Sequence, residues 1–432
     1  MLQWIFGIRI EAVHVLAPVY AVAGIVLLFL LVPVPGVLVG GRRWWPVAAA
    51  AAGVGALAGS VAVWIVIDVQ DVFGAPASAV IRGAAAATGA GLGLAIVNLI
   101  RTRWWRKAVA VIAVPAVLLA GALMINRDVA YYPTFGDFIG VTGVGPLKPG
   151  SSNRADTSIG NWRPPPGMAS TGTTSTVSIP GVDSHWRARD AWVYQPPAAL
   201  VPNPPRLPVV IAFAGQPGGP SDVFVAGNLA AVMDAIAARH HGVAPIVVVP
   251  DQLGSYNVNP ECENSKMGNV AQYVTDDVRD WTLQHLPVSR DRRDWTLAGF
   301  SEGGTCAVQF GTEYPAIFGS YLAISPELGP INGTVARSVR EAFHGSIAEW
   351  RAAQPIAIMQ RKRPYRHTFA LYATGIFDTR YGKDAVALAT ASRAAGMRTA
   401  FTRLPGVAHN WNTGAAGLRW GVSRLVSWWG LP

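Results

Sequence analysis

Charge is scarce in this sequence: only 14% of its 432 residues are Asp, Glu, Lys or Arg, against roughly 25% in an ordinary soluble domain. A wholly soluble globule is therefore not expected. Cysteine is scarcer still, and two cysteines can build neither a disulfide scaffold nor a zinc site. Polar disorder is excluded by the 51% hydrophobic content, and 46 Gly with 32 Pro carry no collagen period. Thirty-five basic residues against 25 acidic give a net charge of +10. A nucleic-acid footprint would line that charge along one face. Here it sits beside apolar runs, so it reads as membrane-flanking charge and no nucleic-acid partner is expected.

Long apolar runs are what the sequence has in quantity. Residues 13–33, VHVLAPVYAVAGIVLLFLLVP, are long enough as a helix to cross the roughly 30 Å hydrocarbon core of a bilayer. Further spans are predicted at about 47–67, 83–100 and 108–125, none with the polar face a soluble bundle would need. Arg42 and Arg43 separate the first two spans, and Arg101, Arg103, Arg106 and Lys107 the last two, whereas Asp68 and Asp71 lie between the second and third. The positive-inside rule then puts both basic loops in the cytoplasm and both the N-terminus and everything beyond the fourth span outside. Arg42-Arg43-Trp44-Trp45 and Arg103-Trp104-Trp105-Arg106 hint at a duplicated hairpin with tryptophans at headgroup level. The only A-x-A before Arg42 falls in mid-span, so an uncleaved anchor is expected rather than a signal peptide. No intramembrane charge pair is visible, which counts against transport.

Residues 1–126 thus read as a four-span membrane domain, 127–174 as a Gly/Pro/Ser-rich tether, and 175–432 as a second domain. In that domain β-branched and aromatic runs predict strands near 175–181, 190–195, 208–214, 245–250, 294–298, 320–324, 368–374 and 398–403. Helical patterns fall near 221–239, 269–285, 302–314, 332–344, 382–396 and 414–429. Opening hairpin strands followed by alternating β and α elements predict an α/β fold, a mostly parallel sheet with helices on both faces. Its chemistry should gather beyond the carboxyl ends of the strands.

Gly299-Phe300-Ser301-Glu302-Gly303 is the chain's one G-x-S-x-G. It follows the run Trp295–Ala298 and leads into a helix, the context in which a sharp turn projects a serine Oγ as a nucleophile. Such a serine needs a base. Of eight histidines, His409 sits in a loop after the strand ending near Arg403, and it is the candidate base. Asp378, after the strand 369–374 and between Ser301 and His409 in the chain, is the candidate third member. It would hold the imidazole tautomer and stabilise the imidazolium, although its position also suits a helix cap. Glu327 is the alternative acid. Two backbone donors should form an oxyanion hole: the amide of Glu302 at the helix start, and that of Gln216 in the loop after 209–213, since Pro217 has no N–H. Cys262 and Cys306 both fall on the predicted outer side and near this strand end, where a disulfide is expected, two buried thiols being the alternative. The chemistry calls for no cofactor or metal.

These residues resemble the "putative esterase" family of α/β-hydrolases, which includes the antigen 85 mycolyltransferases and esterase D. The likeness runs from about Val177 to Trp429 and rests on Ala212-Phe213-Ala214-Gly215-Gln216, Val248-Val249-Pro250-Asp251, Asn259-Pro260-Glu261-Cys262, Gly299-Phe300-Ser301-Glu302-Gly303-Gly304, Asp378 and His409-Asn410-Trp411. It implies an α/β-hydrolase fold and a serine acyl-enzyme mechanism on acyl esters, with water or a sugar hydroxyl as acceptor. The mycolyltransferases differ in lacking a four-span anchor, in carrying a small apolar residue where this chain has Glu302, and in using glutamate where Asp378 stands; their trehalose-binding residues find no match here. The leading expectation is a membrane-anchored extracytoplasmic esterase or acyltransferase acting on envelope acyl esters. Hydrolysis of aminoacyl-lipid esters is an alternative substrate reading suggested by Glu302, Glu261 and Glu263. A catalytically silent interaction module on the same anchor is the competing class.

Overall fold

The computed structural model describes residues 3–33, 41–70, 76–141, 143–147, 157–256 and 258–432. Asp71 and the stretch 148–156 of the expected tether lie outside the described residues. The chain divides into two compact units, Met1–Thr142 and Gly143–Pro432.

Four helices of the first unit are long and apolar enough to cross a membrane: α1 (Val13–Leu31), α2 (Arg43–Val69), α3 (Ala79–Arg101) and α4 (Trp104–Val129). They give the chain a multi-pass arrangement, as an apolar surface this long requires. Small residues set the closest approach. A Cβ added at Gly55 or Gly59 would overlap backbone carbonyls of α3, and one at Gly89 or Gly93 would overlap those of α2, the close backbone contact that spaced small residues allow. An even number of crossings should return the chain to the side it left. Accordingly, Ile10 N–H donates to Pro133 O at 3.1 Å and Phe135 N–H to Ile8 O at 2.9 Å.

At the other end of the helices the structure corrects the duplicated Arg/Trp reading. Trp45 and Trp104 are exposed, but Trp44 and Arg106 are fully buried. The Arg106 guanidinium donates to Leu30 O at 2.6 Å and Val32 O at 3.1 Å, and through Nε to Asn98 Oδ1 at 3.1 Å. Trp44 Nε1 donates to Leu31 O at 2.8 Å. Together they satisfy the carbonyls that the end of α1 leaves without intrahelical partners, where positive charge is also favoured. Asp68 and Arg82, at the facing ends of α2 and α3, form an ion pair at 2.7 Å. Both residues flank the expected spans, so the pair sits at the helix ends rather than along a path through them.

The second unit has a nine-stranded sheet in the order β1-β2-β3-β5-β4-β6-β7-β8-β9. The strands are β1 (Gly145–Pro146), β2 (Thr173–Val177), β3 (Ala191–Gln195), β4 (Val209–Phe213), β5 (Ile246–Val249), β6 (Trp295–Phe300), β7 (Ser320–Ile324), β8 (Phe369–Gly375) and β9 (Arg398–Leu404). β3 is antiparallel to both neighbours and every other pairing is parallel. The central strands β4 to β8 are buried along their whole length, which is why they read as continuous apolar runs rather than alternating ones. The strand β1 was not expected, because a two-residue Gly-Pro segment carries no strand signal. Trp162, read as tether, joins the core and donates through Nε1 to His241 O at 3.2 Å. Burying an indole outweighs the loop composition around it. Helices α5 (Glu302–Glu313), α6 (Thr379–Ala394) and α7 (Trp411–Trp429) follow β6, β8 and β9. Loops beyond the strands' carboxyl ends are where chemistry gathers on such a sheet.

Candidate active site

Ser301 sits between β6 and α5 with φ 59° and ψ −123°, a conformation that costs a non-glycine residue on the order of 1–3 kcal/mol. The surrounding backbone holds it there. Ser301 N–H donates to Ile324 O at 2.8 Å and Thr305 N–H to Ser301 O at 3.0 Å. Glycine flanks the turn because nothing larger fits: a Cβ at Gly299 would overlap the backbone of Gly303, and one at Gly303 the carbonyls of Phe213 and Ala214.

His409, expected as the base, lies 2.9 Å from Ser301 Oγ through Nε2. Its Nδ1 is 2.8 Å from Asp378 Oδ2. With Asp378 ionised and accepting, Nδ1 carries the proton and Nε2 is left free to accept from the serine hydroxyl. Asp378 is placed for both roles considered for it. Its Oδ1 accepts from Tyr381 N–H at 3.3 Å as the cap of α6, while Oδ2 faces the histidine. Glu327, the alternative acid, is not the partner of His409 Nδ1; its own N–H donates to Thr305 Oγ1 at 3.0 Å. The imidazole is packed between aromatic rings, Tyr381 at 4.2 Å and Phe300 at 5.0 Å between centroids. Phe300 lies inside the serine motif and Tyr381 in none, and neither residue type signals this contact, which is made with a loop far along the chain.

The loop after β4 closes on the serine. A Cβ at Gly215 would stand 3.1 Å from Ser301 Cβ, so the backbone leading into Gln216 passes directly beside it. The Glu302 amide is the first of α5, one of the donors a helix leaves unpaired and aimed along its dipole. Three unforeseen contacts shape this loop. Gln252 Nε2 donates to Ala214 O at 2.8 Å and to Glu302 Oε2 at 3.0 Å. Arg189 joins Asp251 at 2.7 Å and donates to Gly218 O at 3.0 Å. Asp222 Oδ2 accepts from Gly219 N–H at 2.9 Å. Of these residues, only Asp251 fell in a stretch the sequence singled out, Val248-Val249-Pro250-Asp251.

Behind the serine, Cys262 and Cys306 form a disulfide with their Cα atoms 5.5 Å apart, within the range such a bond requires. Glu302 Oε1 lies 3.2 and 2.9 Å from the two sulfurs. Among the described residues these three form the one compact group of metal-ligating type, and the sulfurs are bonded to one another, which leaves no thiolate to hold a cation. The bond closes a separation of 44 residues, a constraint on the unfolded chain worth about 2–4 kcal/mol. A thiol titration of the denatured, unreduced protein is expected to find none, and two titratable thiols would contradict it.

Burial dominates the electrostatics of several carboxyls near this strand end. Burial pushes Glu302 up to about 8, reinforced by Glu261 and Asp251 and opposed by the Gln252 hydrogen bond. Desolvation raises Glu327 to about 8, with Glu302 adding to it and Arg380 opposing. Glu263, hydrogen-bonded by Gln309, is raised to about 8, and Glu261 to about 7, both chiefly by burial. Neutral carboxyls thus stabilise the fold at low pH. That stability is complete below the ordinary value of 4.5 and is lost as pH rises toward about 8. The melting temperature is expected to fall across that window, and Glu302→Gln, which keeps an acceptor for Gln252, to flatten the fall; thermal scans across pH check both.

The fold and this arrangement define the class: an esterase-type α/β-hydrolase domain preceded by four apolar helices. Residues 186–419 match the family described as "Putative esterase". An uncharacterized protein of Corynebacterium glutamicum is 33% identical over 318 residues, covering 71% of this chain and 73% of its own length. The chain belongs to the Putative esterase family. Among solved structures, a ferulic acid esterase superposes with a TM-score of 0.51 at 16% identity, covering 61% of this chain and 100% of its own. The S-formylglutathione hydrolase of Agrobacterium tumefaciens gives 0.50 at 17%, covering 61% and 97%. At such identities the likeness is one of fold.

Proposed function

We propose that the chain is a membrane-anchored serine esterase or acyltransferase that acts on acyl esters of the cell envelope. The observation that carries this reading is the unbroken hydrogen-bonded series from Asp378 through His409 to Ser301 at a strained strand-to-helix turn. Ser301 Oγ attacks the ester carbonyl while His409 Nε2 takes its proton. The amides of Gln216 and Glu302 hold the oxyanion of the tetrahedral intermediate. As the intermediate collapses, the C–O bond to the alcohol breaks and His409 returns the proton to that alcohol, leaving the acyl group on Ser301. Water then yields the free acid, or a sugar hydroxyl yields a new ester. Asp378 keeps His409 in the required tautomer throughout. The basic loops around Arg43 and around Arg103 and Lys107 support a cytoplasmic placement for those loops, and so an extracytoplasmic hydrolase domain. Anchoring holds the site near substrates that barely dissolve in water, a local-concentration gain.

Labelling of the full chain in membranes by a fluorophosphonate tests the reading. Labelling that Ser301→Ala abolishes is the expected result, and a chain that is not labelled at Ser301 would favour the silent interaction module. Lipid profiles of a strain carrying Ser301→Ala then name the substrate: an ester that accumulates marks hydrolysis, and one that disappears marks transfer.

The group of buried carboxyls supports one substrate reading in particular, an ester bearing a cationic amine such as an aminoacyl lipid. An ammonium among Glu302, Glu327 and Glu261 would draw them into the ionised form. The ratio of kcat/KM for a cationic over an isosteric neutral ester should then exceed one, and Glu302→Gln should reduce it.

A further inference from the structure

Exposed apolar side chains collect at the end of the sheet where Ser301 lies. Phe377 is 66% and Ile376 50% exposed, and Tyr256, Val258, Leu328 and Val335 are exposed as well. All six belong to segments that follow the carboxyl ends of β5, β7 or β8. Hydrogen bonds link these segments into one rim. Gly218 N–H, in the loop after β4, donates to Tyr256 O at 3.2 Å. Asn259 Nδ2 donates to Ile331 O at 3.3 Å, and Asn332 Nδ2 to Asn259 O at 3.4 Å. The Leu328 amide donates to Asp384 of α6. Ile376 N–H donates to Leu404 O at 2.9 Å and Phe377 N–H to Val407 O at 3.0 Å, in the loop that carries His409. The rim therefore lies at the carboxyl ends of the strands, as Ser301 does.

Exposed apolar side chains gathered at one end of a domain point to an interaction site. The chain itself says which. Fifteen residues separate Val129, the end of α4, from Gly145 in β1, so the sheet starts within about 50 Å of the bilayer even with that segment fully extended. Lys266 and Lys383, exposed in the same loops and in the first turns of α6, add the positive charge that anionic headgroups attract. We infer that this rim docks on the surface of the membrane in which the chain is anchored, so that the mouth of the site opens into the headgroup layer. An acyl ester would then pass from bilayer to Ser301 without crossing water. The inference needs the membrane anchoring and not the chemistry assigned to Ser301, so the two fail separately.

The test uses the full chain in phosphatidylcholine bilayers containing phosphatidylglycerol. Because Cys262 and Cys306 are joined, a bimane label goes to one introduced thiol, Phe377→Cys or, independently, Val258→Cys. Arg290→Cys, exposed before β6 at the opposite end of the sheet, is the reference. Nitroxide-bearing lipid is expected to quench both rim labels several-fold more than the reference, and iodide to quench them less. Rim labels quenched by iodide as strongly as the reference, with no effect of the nitroxide lipid, would overturn the proposal. So would shielding from both quenchers, which would assign the rim to a protein partner or a second copy of the chain.

Discussion

Ser301→Ala is expected to lower kcat for ester hydrolysis by roughly 10⁴–10⁶-fold with KM little changed, the size of effect seen when a serine hydrolase loses the nucleophile of a coupled set. The remaining rate should reflect the oxyanion donors and substrate binding alone. Alanine keeps the backbone that matters here. Ser301 N–H still reaches Ile324 O, and Thr305 N–H still reaches the carbonyl of residue 301, so the turn retains its hydrogen bonds. Steady-state kinetics on a soluble chromogenic ester, with far-ultraviolet circular dichroism to show an intact fold, make the check. An undiminished kcat in the folded variant would remove Ser301 from the chemistry.

Asp378→Asn should be nearly as severe, at roughly 10⁴-fold in kcat, because an amide facing Nδ1 favours the tautomer whose Nε2 carries the proton and cannot accept one from serine. Since the asparagine still offers an oxygen to Tyr381 N–H, the cap of α6 survives. The melting temperature should therefore move little while the rate collapses, a split that a purely structural role for Asp378 would not produce. Glu327→Gln is the counterpart. That side chain does not meet His409 Nδ1, whose partner is Asp378, so kcat should stay within a few-fold of the parent. A collapse with Glu327→Gln and tolerance of Asp378→Asn would exchange the two roles.

The strands that position the site were legible because each is a short buried run bounded by turn residues, and their observed limits fall within a few residues of the expected ones. Ser301 was legible for the same local reason: a strand, a glycine-flanked serine and a helix follow one another without interruption. The same reading failed where a side chain is decided by a partner far along the chain. Trp44 and Arg106 carry the pattern of headgroup residues, yet the open carbonyls at the end of α1 draw both into the helical unit. Trp162 sits in a Pro- and Gly-rich stretch and is buried nonetheless. Gln252, which ties the loop after β4 to the residue following the serine, belongs to no motif.

From sequence alone came the two kinds of unit, the multi-pass helices and the α/β order, together with Ser301, His409 and Asp378 as the candidate site residues. Each follows from local periodicity or from the order in which chemistry-bearing residues occur along the chain. Tertiary structure alone decided that Asp378, not Glu327, faces His409, that Glu302 Oε1 lies beside the sulfurs of Cys262 and Cys306, and that exposed apolar side chains stand in loops at the same end of the sheet as the serine. Those are closures between segments tens to more than a hundred residues apart. Their geometry depends on how the whole sheet twists and packs, and no window along the chain contains it.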